Sequence, residues 1–262
     1  MSHDRKRGIM ATQSNWFVQQ FRFSFFTPPD ESFDSDQLTQ SLGSEFSPEV
    51  RTSNTREGTE IISGPFADDL SLKLVRYKLA NKTDLIFGPQ QVQPEPGHPI
   101  GIGYLEETLE PFRLAILELL RSSHLPNIIR IAYGVTLVQS GTDEEATKTI
   151  LGQYVRAIDL SDAAAGDLIY RMNRPRVSGV TPGLMLNRIS DWRLLQQLLV
   201  QFTGGQQPIS PTENILNLCQ VQLDINTDQH LRDPLDSSKL PELFNELVDL
   251  GNELAEHGDN KK

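Results

Sequence analysis

Three segments of this chain alternate apolar and polar side chains for long enough to require β-strands with one buried face. In residues 16–26, Phe21, Phe23 and Phe25 alternate with Gln20, Arg22 and Ser24. In 127–139, Ile129, Ile131, Tyr133, Val135 and Leu137 make one face, and Arg130, Ala132, Gly134 and Thr136 the other. In 214–226, Ile215, Cys219, Val221, Leu223 and Ile225 point the same way. A period of two places such residues on opposite sides of a pleated strand. Ala132 and Gly134 are small, so the polar face of the second segment leaves room for close packing over it.

The other segments fit around these strands. Residues 61–62, 69–79 and 83–87 read as further strands, the last two joined in a hairpin across Asn81-Lys82. Residues 27–58 read as a long connection with one short helix around 36–42. Four prolines make 88–99 an extended linker. Helical spacing of Leu105, Leu109, Phe112, Ile116, Leu119 and Leu120 predicts a helix over 104–122, with Glu106, Glu107 and Glu110 in its early turns. Residues 141–157 read as a second helix with Thr142 as N-cap, and 161–169 as a short helical turn. Two strands are expected at 183–189 and 194–202, meeting at a turn near Ser190-Asp191. Leu194, Leu195, Leu198 and Leu199 also fit a helix, so periodicity leaves that second segment open. A final helix covers 239–256.

Runs of strands with short connections and few helices predict an α+β fold, a largely antiparallel sheet with helices packed on one face. The coarse order of strands and helices recurs along the chain, without residue-level repetition. The 262 residues suit one domain over 14–257, with 88–99 as its only candidate sub-boundary and tails at 1–13 and 258–262.

Charge narrows the partners. The formal net charge of -11 argues against nucleic acid and anionic membranes as general partners, because both would repel the average surface. No stretch approaches the ~20 apolar residues of a membrane span, and the basic start of the chain lacks the apolar core of a secretory signal. With Cys219 as the single cysteine, no intrachain disulfide can form. These features lead to an expected cytoplasmic location.

Sites of chemistry are sparse. Gly101-Ile102-Gly103 lacks the third glycine of a dinucleotide loop and follows a linker, not a strand. His3, His98, His124, His230 and His257 are scattered. Asp224, Asn226 and Asp228 alternate like calcium ligands, but Gln229 and Leu235 stand where such a loop needs glycine and a bidentate acid. Asp68 and Asp69 could join Asp224 in a two-metal site, though turn acids before a strand are common. Cys219 sits on an apolar face, the setting of an inert buried thiol. No metal and no cofactor are expected.

Two features stand out. Arg171, Arg174, Arg176, Arg188 and Arg193 crowd into 170–193 of an otherwise acidic chain, beside Tyr170 and Trp192. Guanidinium groups in that density suit an anion or an acidic partner surface, or else pair with the protein's own acids. In the last helix, Leu240, Leu243, Leu247, Leu250 and Leu254 keep heptad spacing, which serves either to cover the sheet or to meet a copy in a dimer.

The strand Ile128-Ile129-Arg130-Ile131-Ala132-Tyr133-Gly134-Val135, the late strand Val221-Gln222-Leu223-Asp224-Ile225-Asn226 and the closing helix follow in a suggestive order. The layout resembles a sporadically distributed family of uncharacterised bacterial proteins of about 250 residues, a length close to this one. That family has an Arg-Tyr-like pattern in the first strand and an Asp-Ile-Asp-like pattern in the second. Here Ala132 and Gly134-Val135 surround Tyr133 where the family has Arg and Asn, and Asn226 replaces the second Asp. The resemblance implies a bacterial protein and no established chemistry. The expected function is a non-enzymatic interaction module working through a protein partner or self-association. The alternative is an enzyme or ligand binder for an anionic or nucleotide-like compound held by the arginines of 170–193.

Overall fold

The computed structural model describes residues 15–29, 31, 33–67, 70–90, 97–160, 168–201 and 212–259. The three alternating segments form β1 (Phe17–Phe26), β7 (Arg130–Gly141) and β11 (Thr212–Thr227). They lie side by side at the centre of one sheet. Before β7 come α1 (Ser35–Gln40), β2 (Val50–Asn54), β3 (Thr59–Phe66), β4 (Leu70–Tyr77), β5 (Lys82–Pro89), the short β6 (Gly103–Tyr104) and α2 (Leu105–Leu120). After it come α3 (Glu144–Tyr154), β8 (Ile169–Asn173), β9 (Arg176–Val177), β10 (Met185–Gln201), then β11 and α4 (Leu240–His257). The order across the sheet is β2-β3-β4-β5-β1-β7-β11-β10-β8, with β6 on β1 and β9 on β10. Every pairing is antiparallel, and the fold is α+β.

This order contains a topological repeat. In each half a first strand (β1, β7) leads to a helix (α1, α3), then a set of strands, then a long helix (α2, α4). The last long strand of each half, β5 or β11, pairs with that half's first strand, and the two first strands pair with each other at the centre. The recurring layout seen in the sequence is therefore a repeat of connectivity, which packing preserves even where residues diverge.

The helices cover one face. Phe112 of α2 stacks on Phe21 at 4.5 Å between ring centres and meets Phe87 and Phe244 edge-on. Tyr133 of β7 is fully buried against Gly251 of α4, where a Cβ would sit 2.6 Å from the ring. That helical glycine is a packing requirement rather than a weakness in the helix. Trp16 donates from Nε1 to the Ala255 carbonyl at 2.8 Å, fastening the start of β1 to the end of α4.

Several expectations are corrected. The 183–189 and 194–202 strands are one strand, β10, because Ser190 and Asp191 are held on both sides. Ser190 pairs with Leu223 and Met172, and Asp191 with Gln222 and Arg171, so turn-forming residues sit inside a ladder. The same pairing settles residues 194–201 as strand rather than helix. Asp143, not Thr142, caps α3, accepting from the Ala146 N–H at 2.8 Å. The long connection contains the edge strand β2, whose side chains are all exposed and carry no apolar alternation. Of 161–169, residues 161–167 lie outside the described residues, and Ile169 opens β8. Gly258 and Asp259, assigned above to the C-terminal tail, pack inward: the Asp259 N–H donates to the Tyr154 carbonyl at 2.7 Å.

No helix among the described residues is long and apolar enough to cross a membrane.

Candidate functional site

Strand parity divides the arginines of 170–193 between the two faces of the sheet. Arg174, Arg176 and Arg188 face the helices and meet acids at the end of α4. Arg176 makes a two-pronged contact with Glu253, at 3.0 and 3.2 Å. Arg188, only 7% exposed, reaches the same carboxylate at 3.3 Å. Arg174 pairs with Asp259, which also accepts from the Tyr170 hydroxyl at 2.5 Å. Nearby, Glu246 accepts from Ser178 Oγ at 2.5 Å and from the Gly179 N–H at 2.6 Å. The segment is thus clamped to α4 by charge-assisted bonds.

The clamp leaves its mark on titration. Burial lowers the pKa of the Arg188 guanidinium, and its Nε lacks a hydrogen-bond partner. Burial opposes charge on Glu253 as well, but the hydrogen bond from Arg176 and the fields of Arg188 and Arg176 prevail and hold it below the usual carboxyl value. Burial, and then the bond to Asp259, push the Tyr170 hydroxyl up to about 12.

Arg171 and Arg193 point the other way, onto the face without helices. Arg193 donates to both oxygens of Asp191, at 2.7 and 3.1 Å. Arg171, opposite Asp191 in register, is exposed and has no hydrogen bond or ion pair among the described residues. Arg171 and Asp191 form one wall of a depression of about 170 Å³. Gly134 and Thr136 lie at its floor, and Gln20, Arg22, Gln222 and Asp224 line its other sides.

The register explains the depression. A row across the sheet reads Lys73, Ile86, Arg22, Gly134, Asp224, Ile189 and Asn173. With no side chain at Gly134, the Arg22 guanidinium lies down into the gap, where an added Cβ would stand 3.1 Å from Nε and Nη2. This is the close packing that Ala132 and Gly134 led us to expect. Arg22 Nε is buried without a partner, and Nη2 is 3.6 Å from Asp224 Oδ2, beyond hydrogen-bond length.

Among the described residues, the strands of this face carry six cations, Arg22, Lys73, Lys82, Arg130, Arg171 and Arg193, against three carboxylates, Asp84, Asp191 and Asp224. On a chain of net charge -11 the helix-free face is locally cationic. Arg130 lies over the Phe26 ring at 4.3 Å, and Lys82 near the Tyr77 ring at 5.4 Å. Sequence reasoning left Arg22, Lys73, Lys82 and Arg130 out of the candidate set. Alternation places each on a polar face, but only register brings them together.

The remaining candidates have structural roles. Leu240, Leu243, Leu247, Leu250 and Leu254 are all buried within the chain, so a copy could use that stripe only if α4 left the sheet. Cys219 is fully buried, and burial pushes its thiol up to about 12. Asp224 accepts from Asn226 at 3.1 Å, Asn226 from Asn187 at 3.1 Å, and Asp228 from the His230 N–H at 2.9 Å. Asp68 and Asp69 lie outside the described residues, among which no cluster of three metal-binding side chains occurs. Gly101 allows close approach to β1, since a Cβ there would fall 2.2 Å from the Val18 carbonyl oxygen.

No family model, no curated protein and no solved structure matches this chain.

Proposed function

We propose that the chain is a non-enzymatic interaction module of the bacterial cytoplasm, which docks an acidic protein partner on its helix-free sheet face. The observation that supports this most is the reversal of charge: a locally cationic face on an acidic chain, with Arg171 exposed and unpaired among the described residues. Arginine is suited to that role because its planar fork matches carboxylates in pairs. A broad, shallow face lined with amides and both charge signs suits a polypeptide surface better than a small molecule, which needs an enclosed pocket. Membership of the bacterial family named above is part of the same proposal.

The alternative, a pocket for an anionic or nucleotide-like compound built from all five arginines, has less support. Arg174, Arg176 and Arg188 are engaged with Glu253 and Asp259 on the opposite face.

The test places a photo-crosslinking amino acid at Gln222, in the wall of the depression, and irradiates cells carrying the protein. The expected product is a covalent adduct with one acidic protein, lost in Arg22→Glu/Arg171→Glu. Adducts only with nucleic acid, or none with protein, would refute the proposal. Stabilisation by a phosphorylated metabolite in a thermal-shift screen, removed by the same substitutions, would favour the small-ligand alternative.

A further inference from the structure

We infer that the chain forms a symmetric dimer by pairing the outer end of β10 with the same strand of a second copy. β8 covers β10 only from Ile189 to Arg193, and β7 covers β11 only as far as Asn217. Among the described residues, β10 has no second partner from Leu194 onward, and β10 and β11 pair with each other alone from Gln197↔Leu216 to Gln201↔Thr212. Among the described residues, no strand lies against β10 past Leu194, whose N–H reaches only the Leu168 carbonyl at 3.4 Å. A two-stranded ribbon without further support is marginal in water.

Among the described residues, this edge lacks the usual protection. Exposed strand edges are normally guarded by charges, proline or a bulge. Residues 194–201 contain none of the charged residues and no proline, and Glu213 is the one charge in 212–217. The register with β11 runs through the strand without a shift. Leu195, Leu198 and Ile215 are exposed there, Leu198 and Ile215 by more than half.

The occupant follows from symmetry and charge. An antiparallel strand can pair with itself about a twofold axis normal to the sheet, which returns each face onto itself. Centred on Leu198, that axis sets Leu198 opposite Leu198 of the partner subunit. Because Leu198 pairs with Ile215, the result is a row of four apolar side chains across four strands, Ile215 and Leu198 from each copy. Elsewhere two chains of net charge -11 repel, and this uncharged strand is where they can approach. The interface leaves the helix-free face open and does not depend on the function proposed above.

Light scattering on the purified full chain is expected to give twice the 29.4 kDa monomer mass. Leu198→Lys, which sets like charges face to face, should raise the dimer dissociation constant at least about tenfold. Opposed residues in an antiparallel pair lie about 4.5–5.5 Å apart at Cα, within disulfide range. Leu198→Cys should therefore form a covalent dimer under mild oxidation, while Leu79→Cys, at an exposed site far from the ribbon, should not. A monomer at tens of micromolar overturns the inference, as does equal cross-linking of the two cysteine variants.

Discussion

Arg171 and Arg176 stand five positions apart in sequence and belong to different parts of the protein. Arg176 faces the helices, shares Glu253 with the buried Arg188 and holds the β8–β10 region to α4. Arg171 faces away from the helices and borders a depression whose far wall is Arg22 from the first half of the chain. Residue type is the same and local composition is the same. Strand parity and the acids that happen to lie opposite decide which arginine is tied to α4 and which is left exposed. A sequence cluster of arginines is therefore not one site here but two sets on opposite faces of the sheet.

Breaking the helix-side contacts should have the largest effect. Glu253→Ala leaves Arg188 buried without its carboxylate. Removing one partner of a fully buried pair costs about 3–5 kcal/mol. Glu253 is about a third exposed, which screens the interaction, so we expect on the order of 2 kcal/mol. For a chain of this size that corresponds to about 4–8 °C in Tm, read by calorimetry. Binding by the folded variant should be unchanged.

Acid should weaken the same contacts. The pKa of Glu253 in the folded protein lies below its ordinary 4.5, so its contribution is complete above that value and is lost as pH falls through the depressed one. Denaturant midpoints between about pH 6 and pH 3 should fall less steeply for Glu253→Gln than for the natural chain.

On the helix-free face the expectation reverses. Gly134→Ala brings a Cβ to 3.1 Å from Arg22, a flexible side chain that can move aside. Stability should drop by less than about 1 kcal/mol, while the adduct formed from position 222 falls sharply. Arg171→Ala should have the smallest effect on folding, within about 0.5 kcal/mol, because nothing among the described residues holds that side chain.

The division between faces also marks what a sequence can reveal. β1, β7 and β11 were legible because Phe21, Tyr133 and Val221 recur with their neighbours at a period of two, a local signal. The single strand β10 was not, since Ser190 and Asp191 read as a turn until β8 and β11 supply bonds on both sides. β2 had no buried face to give it a pattern. The site was legible only in part. Arg171, Arg193 and Asp224 could be singled out by type, whereas Arg22 joins them through the β1–β7–β11 register, which brings together residues about 200 positions apart. Likewise the heptad stripe of α4 is equally consistent with a dimer and with a core, and only the burial of Leu243 and Leu247 decides between them.

The duties proposed for Arg171 and Arg176 are opposite, and they separate in the yield of protein adduct at position 222 from folded Arg171→Glu and folded Arg176→Glu. We predict loss of the adduct in Arg171→Glu and an undiminished yield in Arg176→Glu. Loss in Arg176→Glu with retention in Arg171→Glu would contradict the assignment of the two faces.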